Sequence, residues 1–103
     1  MIRSVSARWG DAILICGTCT RRVGGGFGKK GGASLAKTLR KAGVGDRGRK
    51  AQRGVVETGC LKLCPKNAVV VMHSARPDRW LVVPPMMDVA DIVAALDLDR
   101  TAT

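Results

Sequence analysis

Aromatic residues are scarce in this chain of 103 residues: they make up 3% of it, and tyrosine is absent. Hydrophobic residues nevertheless reach 46%, which excludes a disordered chain and requires a core built from aliphatic side chains. The length leaves no room for a second core, so enzymes with separate cofactor and substrate domains are excluded as well. We therefore predict a single domain that spans residues 1–103.

Long apolar runs and catalytic constellations are absent too. The longest strongly apolar runs, residues 12–16 and 68–72, are far too short to cross a bilayer. The apolar stretch behind Arg3 and Arg8 does not have the pattern of a signal peptide, so we expect a cytoplasmic protein without a membrane partner. With His73 as the only histidine and no cluster of carboxylates, neither a Ser–His–Asp arrangement nor an acid–base pair is discernible. We expect that the protein is not an enzyme.

Acidic residues are few, and the resulting positive charge is confined to one segment. Residues 21–53 contain eleven lysines or arginines and a single acid, Asp46, so this segment carries the whole net charge of +10. The rest of the chain has seven basic and seven acidic residues and is neutral. We call residues 21–53 the basic lobe, a glycine-rich insertion in a balanced domain. Its charge is compatible with a solvated surface, a docking face for an acidic protein or a phosphate-binding patch.

The apolar pattern predicts the element order β-α-β-β-β-α in a small α/β sandwich. Residues 11–15 form a near-continuous apolar run, which indicates a central strand buried on both faces. The glycine clusters within residues 20–32 predict a segment without regular structure. A strand–helix–strand unit in one sheet is right-handed and parallel, so we expect a mixed sheet whose last two strands are antiparallel. The other predicted strands are residues 54–58, 68–72 and 80–83, and the two helices begin at the N-caps Ser34 and Asp88. The first helix has an apolar stripe of Leu35, Leu39 and Ala42, and residues 97–103 are predicted to be a polar tail.

Four cysteines occur in two pairs, Cys16 with Cys19 and Cys60 with Cys64, spaced C-x2-C and C-x3-C. Each pair lies at or just beyond the predicted C-terminal end of a strand, so loops that carry them are expected to meet at one end of the sheet. Disulfide frameworks are typical of exported proteins, and no export signal was found. Paired thiols that converge in this way indicate an iron–sulfur cluster, a structural zinc ion or a redox-active dithiol.

The spacing of the pairs favours the cluster over zinc and over the dithiol. Zinc ribbons more often repeat the two-residue spacing in both halves, and the second pair here has three intervening residues. A thioredoxin-type thiolate is stabilised by a helix that begins directly after it, whereas Arg21, Arg22, Val23 and the three glycines that follow predict a poor helix. Structural zinc and the dithiol remain as alternatives.

Residues 59–71, GCLKLCPKNAVVV, resemble the second cysteine loop of thioredoxin-like [2Fe-2S] ferredoxins. The closing hairpin and the last helix are similar to that family's ending, and the resemblance covers roughly residues 11–97. It implies a thioredoxin-like fold, one [2Fe-2S] cluster, one-electron transfer and commonly a homodimer. By this match Cys60 and Cys64 are cluster ligands, and we assign the C-x2-C pair of Cys16 and Cys19 as the other two. That short first spacing and the basic charge depart from the family pattern.

The basic lobe predicts a partner for such a protein. Its charge favours docking to an acidic redox protein, since complementary charge steers association. Binding of nucleic acid through residues 21–53 is the alternative, and it is disfavoured because Phe27 is the lobe's only aromatic residue and stacking platforms are few. We expect Phe27, Met86 and Met87 to be packing residues, Trp80 to cover the hairpin, and His73 to be a hairpin residue rather than a ligand.

Overall fold

The computed structural model describes residues 2–28, 31–63 and 65–96. A four-stranded mixed sheet and three helices form a small α/β sandwich, as predicted. Within the described ranges, no helix has the length and apolar character needed to cross a membrane. The predicted polar tail, residues 97–103, lies outside them. The elements in chain order are β1 (Asp11–Cys16), α1 (Gly17–Val23), α2 (Leu35–Lys41), β2 (Arg53–Thr58), β3 (Val69–His73), β4 (Leu81–Val83) and α3 (Val89–Leu96).

The sheet has the strand order β2-β1-β3-β4. Strands β1 and β2 are parallel, and β3 is antiparallel to both β1 and β4, which confirms the predicted mixed sheet. In the parallel pair Asp11 lies opposite Arg53, and Cys16 lies opposite Thr58. Both strands therefore finish side by side. We call this the cysteine end of the sheet, and we call the opposite end, where Asp11 and Arg53 begin their strands, the far end.

The core is aliphatic, and most of it lies against one face of the sheet. The strand register places Ile13, Ile15 and Val55 on a common face, and all three are fully buried. They belong to one cluster with the apolar stripes of α2 and α3. Leu14, on the opposite face of β1, is only half-buried. The predicted burial of β1 on both faces is therefore wrong at Leu14, although Cys16 and Val70 on that same face are buried.

Helix α1 corrects the prediction that residues 20–32 lack regular structure. Cys16 is its N-cap, with extended backbone angles, and the Cys16 sulfur accepts a hydrogen bond from the Cys19 backbone N–H at 3.4 Å. The Thr20 hydroxyl donates to the Cys16 carbonyl at 2.9 Å. Gly24 then ends the helix in the left-handed conformation, with φ of 70°. The glycine run begins only at this cap, so the glycines stop the helix but do not prevent it.

Helix α2 follows the predicted pattern at its start and departs from it near its end. The Ser34 hydroxyl oxygen accepts the Lys37 N–H at 3.2 Å, and the first apolar positions, Leu35 and Leu39, are fully buried. Ala42, predicted on the same stripe, is exposed at the C-cap. Ser34 therefore fixes where the helix starts, and α2 lies over β2 with its buried leucines in the core.

The aromatic and methionine residues give mixed outcomes. Phe27 is buried and its backbone pairs with that of Ala33, which confirms the predicted anchor. The Trp80 indole N–H donates to the Pro77 carbonyl at 3.0 Å and so covers the hairpin turn. Met86 is 71% exposed, and the prediction that it packs is wrong. Its φ of 68° is a left-handed conformation that few non-glycine residues adopt.

His73 ends β3 at the start of the β3–β4 hairpin, as predicted, and it is also a buried link at the far end. Its Nε2 lies 2.5 Å from the Asp11 carboxylate, and its Nδ1 lies 3.0 Å from the Leu96 carbonyl oxygen. The second oxygen of Asp11 accepts a hydrogen bond from Arg53 Nε at 2.8 Å. These contacts join the first residue of β1 to the start of β2, the end of β3 and the end of α3.

Candidate functional site

The ends of β1 and β2 bring the two cysteine loops together. Cys16 is the last residue of β1, and Cys60 follows Thr58, its register partner on β2, by two residues. Cys19 lies in the first turn of α1, directly after β1. The structure therefore places these three cysteines at or just beyond the cysteine end of the sheet, where sequence reasoning expected them. Cys64, the fourth predicted ligand, lies outside the described residues.

The three described cysteines differ in burial. Cys16 and Cys19 are 1% and 4% exposed, whereas Cys60 is exposed. All three are unbridged thiols. The Cys60 sulfur accepts the Lys62 backbone N–H at 3.3 Å, which parallels the bond from the Cys19 N–H to the Cys16 sulfur. Each loop thus directs a backbone donor at its first cysteine.

The Cys16 sulfur lies in surroundings that favour a thiolate. Burial acts to raise the pKa of the Cys16 thiol. The backbone N–H groups of Cys19, Leu61 and Thr18, together with the Cys19 side chain, outweigh burial and hold that pKa below its ordinary value. Because the thiolate is both the metal ligand and the nucleophile, these donors prepare Cys16 for either role. Leu61 belongs to the second loop, so one sulfur is stabilised from both loops.

Gly17 permits the close approach of α1 to the end of β2. A β-carbon at Gly17 would lie 2.7 Å from the Thr58 backbone oxygen, inside van der Waals contact. At Gly24 and Gly59, by contrast, no described atom lies within 4 Å of the position a β-carbon would take. The tight contact at the cysteine end is therefore a property of Gly17.

The two leucines of the second loop do different things. Leu61 is half-buried against the core, so it anchors the loop and presents its N–H to the Cys16 sulfur. Leu63, by contrast, is 45% exposed. Lys62 between them has φ of 66°, a left-handed conformation for a residue with a side chain. Because the chain turns at Lys62, Leu61 packs against the core while Leu63 is exposed.

Among the described residues, no three or more His, Cys, Asp or Glu side chains form a group that could hold a metal ion.

The cysteine end of the sheet also carries positively charged side chains. Arg21, which is exposed, donates from Nη2 to the Thr18 hydroxyl at 3.3 Å, in the first turn of α1. Arg22 and Lys62 are exposed as well. These cations would attract an acidic partner.

The basic lobe has exposed cations at both ends of the sheet. Arg21 and Arg22 belong to α1 at the cysteine end. Arg47, Arg49 and Lys50 belong to the loop that leads into β2, so they lie at the far end. Five residue steps of β1 separate the two ends, a distance of about 17 Å at the usual rise per strand residue. Docking to one group of cations is therefore separable from docking to the other.

Trp9 is a functional candidate that sequence reasoning missed. Its indole N–H donates to the Gly48 carbonyl at 2.9 Å, and a β-carbon at Gly54 would lie within 2.6 Å of three of its ring atoms. Trp9 thus joins the far-end cations, although it lies outside residues 21–53. The sequence did contain an indication of this contact. Trp9 lies just before the first predicted strand, and Gly54 begins the strand that was predicted to run parallel to that first strand.

Comparison with protein-family models, with curated proteins and with solved structures returns no match for this chain. The resemblance of residues 59–71 to a ferredoxin cysteine loop therefore stays a prediction from the sequence.

Proposed function

We propose that this protein is an electron-transfer protein, not an enzyme, that carries one [2Fe-2S] cluster on Cys16, Cys19, Cys60 and Cys64. The observation that supports this proposal most strongly is the meeting of the two cysteine loops at the ends of adjacent parallel strands. A bound cluster supplies a site that accepts and releases single electrons. The described cysteines fit such a group in chemistry, because thiolates are the ligands that iron–sulfur clusters take.

The surrounding residues have defined roles in this proposal. The N–H groups of Cys19, Leu61 and Thr18 stabilise negative charge on the Cys16 sulfur. Leu61 limits the access of water, and hydrogen bonding and water access both tune the potential of a cluster. Gly17 keeps α1 close to the end of β2, so that the first cysteine pair stays beside the second loop.

A thiol–disulfide function of Cys16 and Cys19 is the second candidate. Helix α1 favours it, because the helix that was expected to be missing begins directly after Cys16 and its N–H groups face that sulfur. The burial of both sulfurs opposes it, since a protein disulfide must reach the attacking thiolate. Structural zinc on the same cysteines is the third candidate. The metal content of the protein separates all three.

Anaerobically purified full-length protein should be brown and contain about two irons and two acid-labile sulfides per chain. Serine in place of any one of the four cysteines should lower iron content and bleach the visible spectrum, because a soft thiolate ligand is removed. The measurements are iron, sulfide and zinc analysis with visible spectroscopy. Stoichiometric zinc without iron would contradict the cluster. Metal-free protein whose Cys16 and Cys19 cycle between dithiol and disulfide would support the second candidate instead.

We also propose that an acidic redox protein docks at the cysteine end. Arg21, Arg22 and Lys62 support this location, because they are the exposed cations beside the cysteine loops. Reversal to glutamate at both Arg21 and Arg22 should slow association with an acidic flavoprotein reductase by about tenfold at low salt, an effect that salt erases. Stopped-flow kinetics measure the rate. Reversal at Arg47 and Arg49 is the matched control, with the same change of charge, and an equal slowing there would contradict the assignment.

Two further features belong to the proposal. A cytoplasmic location is supported by the three described cysteines, which are unbridged, because unbridged thiols persist in reducing compartments. Homodimer formation is supported by the second face of the sheet, where the aliphatic side chains of Leu14, Val56 and Met72 are half-buried and Val82 is exposed. Apolar surface of this kind is stabilised when another protein surface covers it.

A further inference from the structure

We infer that the far end of the protein binds single-stranded nucleic acid, with exposed cations on the phosphates and Trp9 stacked on a base. We call the residues concerned the far-end surface: Arg8, Trp9, Arg47, Arg49 and Lys50. This inference does not depend on the cluster, since the far-end surface and the cysteines lie at opposite ends of β1. It revises the expectation that the basic lobe has too few aromatic rings for such binding.

Trp9 is held in a fixed position. Three ring atoms, Cη2, Cδ2 and Cε2, lie close to where a β-carbon of Gly54 would be, so the ring lies face-on against the backbone of β2. The bond from its N–H to the Gly48 carbonyl sets the direction of the ring. The residue is only partly buried, and we take the face of the indole that does not lie against β2 as its open face. A ring presented in this way loses little conformational entropy when a base stacks on it.

The cations beside the ring are presented on a scaffold held by backbone hydrogen bonds. The Arg8 N–H donates to the Arg49 carbonyl at 2.7 Å, and the Gly10 N–H donates to the Gln52 carbonyl at 2.8 Å. The residues around Trp9 therefore run alongside the loop that leads into β2. The side chains of Arg8, Arg47, Arg49 and Lys50 are exposed.

The positive charge of Arg8, Arg47, Arg49 and Lys50 is offset by few acidic groups at the far end. Asp46 accepts the Arg47 backbone N–H at 2.8 Å, and it is the only acid in residues 21–53. The Asp11 carboxylate forms a salt bridge with Arg53 and contacts His73, so its negative charge is paired with these two residues. The far-end surface keeps a net positive charge next to an aromatic ring, which is the combination found in proteins that bind single strands.

Single-stranded nucleic acid fits this surface better than an acidic protein or a duplex does. An acidic protein would satisfy the cations through carboxylates, but it leaves the open face of Trp9 without a dedicated partner. Duplex DNA offers phosphates, but its bases are stacked within the helix and do not reach a surface ring. An unpaired strand supplies both phosphates and π-faces.

The test uses full-length protein and a fluorescein-labelled oligodeoxythymidylate of about 20 nucleotides, titrated by anisotropy between about 0.05 and 0.2 M salt. The triple variant R47A/R49A/K50A should bind at least about tenfold more weakly, and its salt dependence should fall by about two units of slope. Trp9→Leu should weaken binding by about tenfold, with an almost unchanged slope, because it removes stacking and not charge. Trp9→Phe should restore most of the affinity.

A triple variant at the cysteine end, R21A/R22A/K62A, is the matched control because it removes the same number of charges. It should weaken binding less than threefold. Equal weakening by the two triple variants would overturn the assignment in favour of diffuse attraction. Equal affinity of the protein for polyglutamate, or for duplex DNA, would overturn it in favour of an acidic protein or a phosphate lattice. Circular dichroism of each variant shows whether a loss of affinity reflects unfolding, and Trp9→Phe keeps the packing that Trp9→Leu loses.

Discussion

Replacing Gly17 with alanine should destabilise the protein by about 2 kcal/mol, even though alanine is the better helix former. The added methyl group would lie 2.7 Å from the Thr58 carbonyl oxygen, and this oxygen belongs to the backbone of β2 and cannot rotate away. Either α1 or the end of β2 must shift. For a domain of this size the melting temperature should fall by about 10 °C, which calorimetry or thermal circular dichroism measures.

Gly59→Ala is the control for this prediction. Gly59 precedes the second cysteine pair as Gly17 follows Cys16, but no described atom lies within 4 Å of where its β-carbon would be. Alanine there should change stability by less than about 0.5 kcal/mol. If the cysteine loops also hold the cluster, Gly17→Ala should lower the retained iron more than Gly59→Ala does. Equal stabilities of the two variants would show that α1 does not press on β2.

Replacing Asp11 with asparagine should cost about 3 kcal/mol at neutral pH. One oxygen of the Asp11 carboxylate accepts a hydrogen bond from Arg53, and the other lies within hydrogen-bond distance of the His73 ring. The Asp11 side chain is mostly buried. An asparagine amide keeps one acceptor oxygen and turns its NH2 group toward one of these partners. A buried donor or cation is then left unsatisfied, which costs more than the net value of the bond it had made.

The Asp11 contribution should depend on pH with a definite sign. Burial acts to raise the pKa of the Asp11 carboxyl, but hydrogen bonds and charges from Arg53 and His73 outweigh it and hold that pKa below its ordinary value. A carboxyl whose pKa is lower in the folded state stabilises the fold above its unfolded pKa, and this stabilisation is lost as the pH falls through the folded pKa. The cost of Asp11→Asn should therefore be complete at pH 7 and shrink below about pH 4.

Urea unfolding of both proteins across this pH range measures the effect. Glu57→Gln is the matched control, because Glu57 is an exposed carboxylate on β2 and its loss should cost less than about 0.5 kcal/mol at any of these pH values. A cost of Asp11→Asn that stayed constant down to pH 3 would show that the charge of Asp11 is not what stabilises the far end.

Much of the fold could be predicted because local patterns and tertiary packing agree there. The apolar runs of β1 and β3 give strands, Ser34 caps α2, and the parallel pairing of β1 with β2 follows from the rule for crossovers. The convergence of the cysteine loops follows from that pairing. The same reasoning predicts that thiolates are the reactive or metal-binding groups of the site. It does not determine whether they bind an iron–sulfur cluster or zinc, or act as a redox dithiol.

The remaining features depend on contacts between residues far apart in the sequence. Helix α1 was missed because its only strong local signal is its N-cap, and the cap is a cysteine, a residue that ordinary capping preferences do not favour. The contacts of His73 were missed because its partners, Asp11 and Leu96, are 62 and 23 positions away along the chain. Trp9 was outside the charged segment in sequence, and only the fold brings it beside the cations.

The separation of the two ends of β1 has a consequence for how this protein could work in a larger assembly. Surfaces about 17 Å apart on opposite ends of one strand can be occupied together without steric exclusion. A chain held by its far end on a long polyanion would present its cysteine end outward, at a local concentration set by the spacing of neighbouring copies and not by the bulk. The rate of electron exchange between such copies would then depend on the distance between their binding positions, with effective concentrations in the millimolar range for short separations.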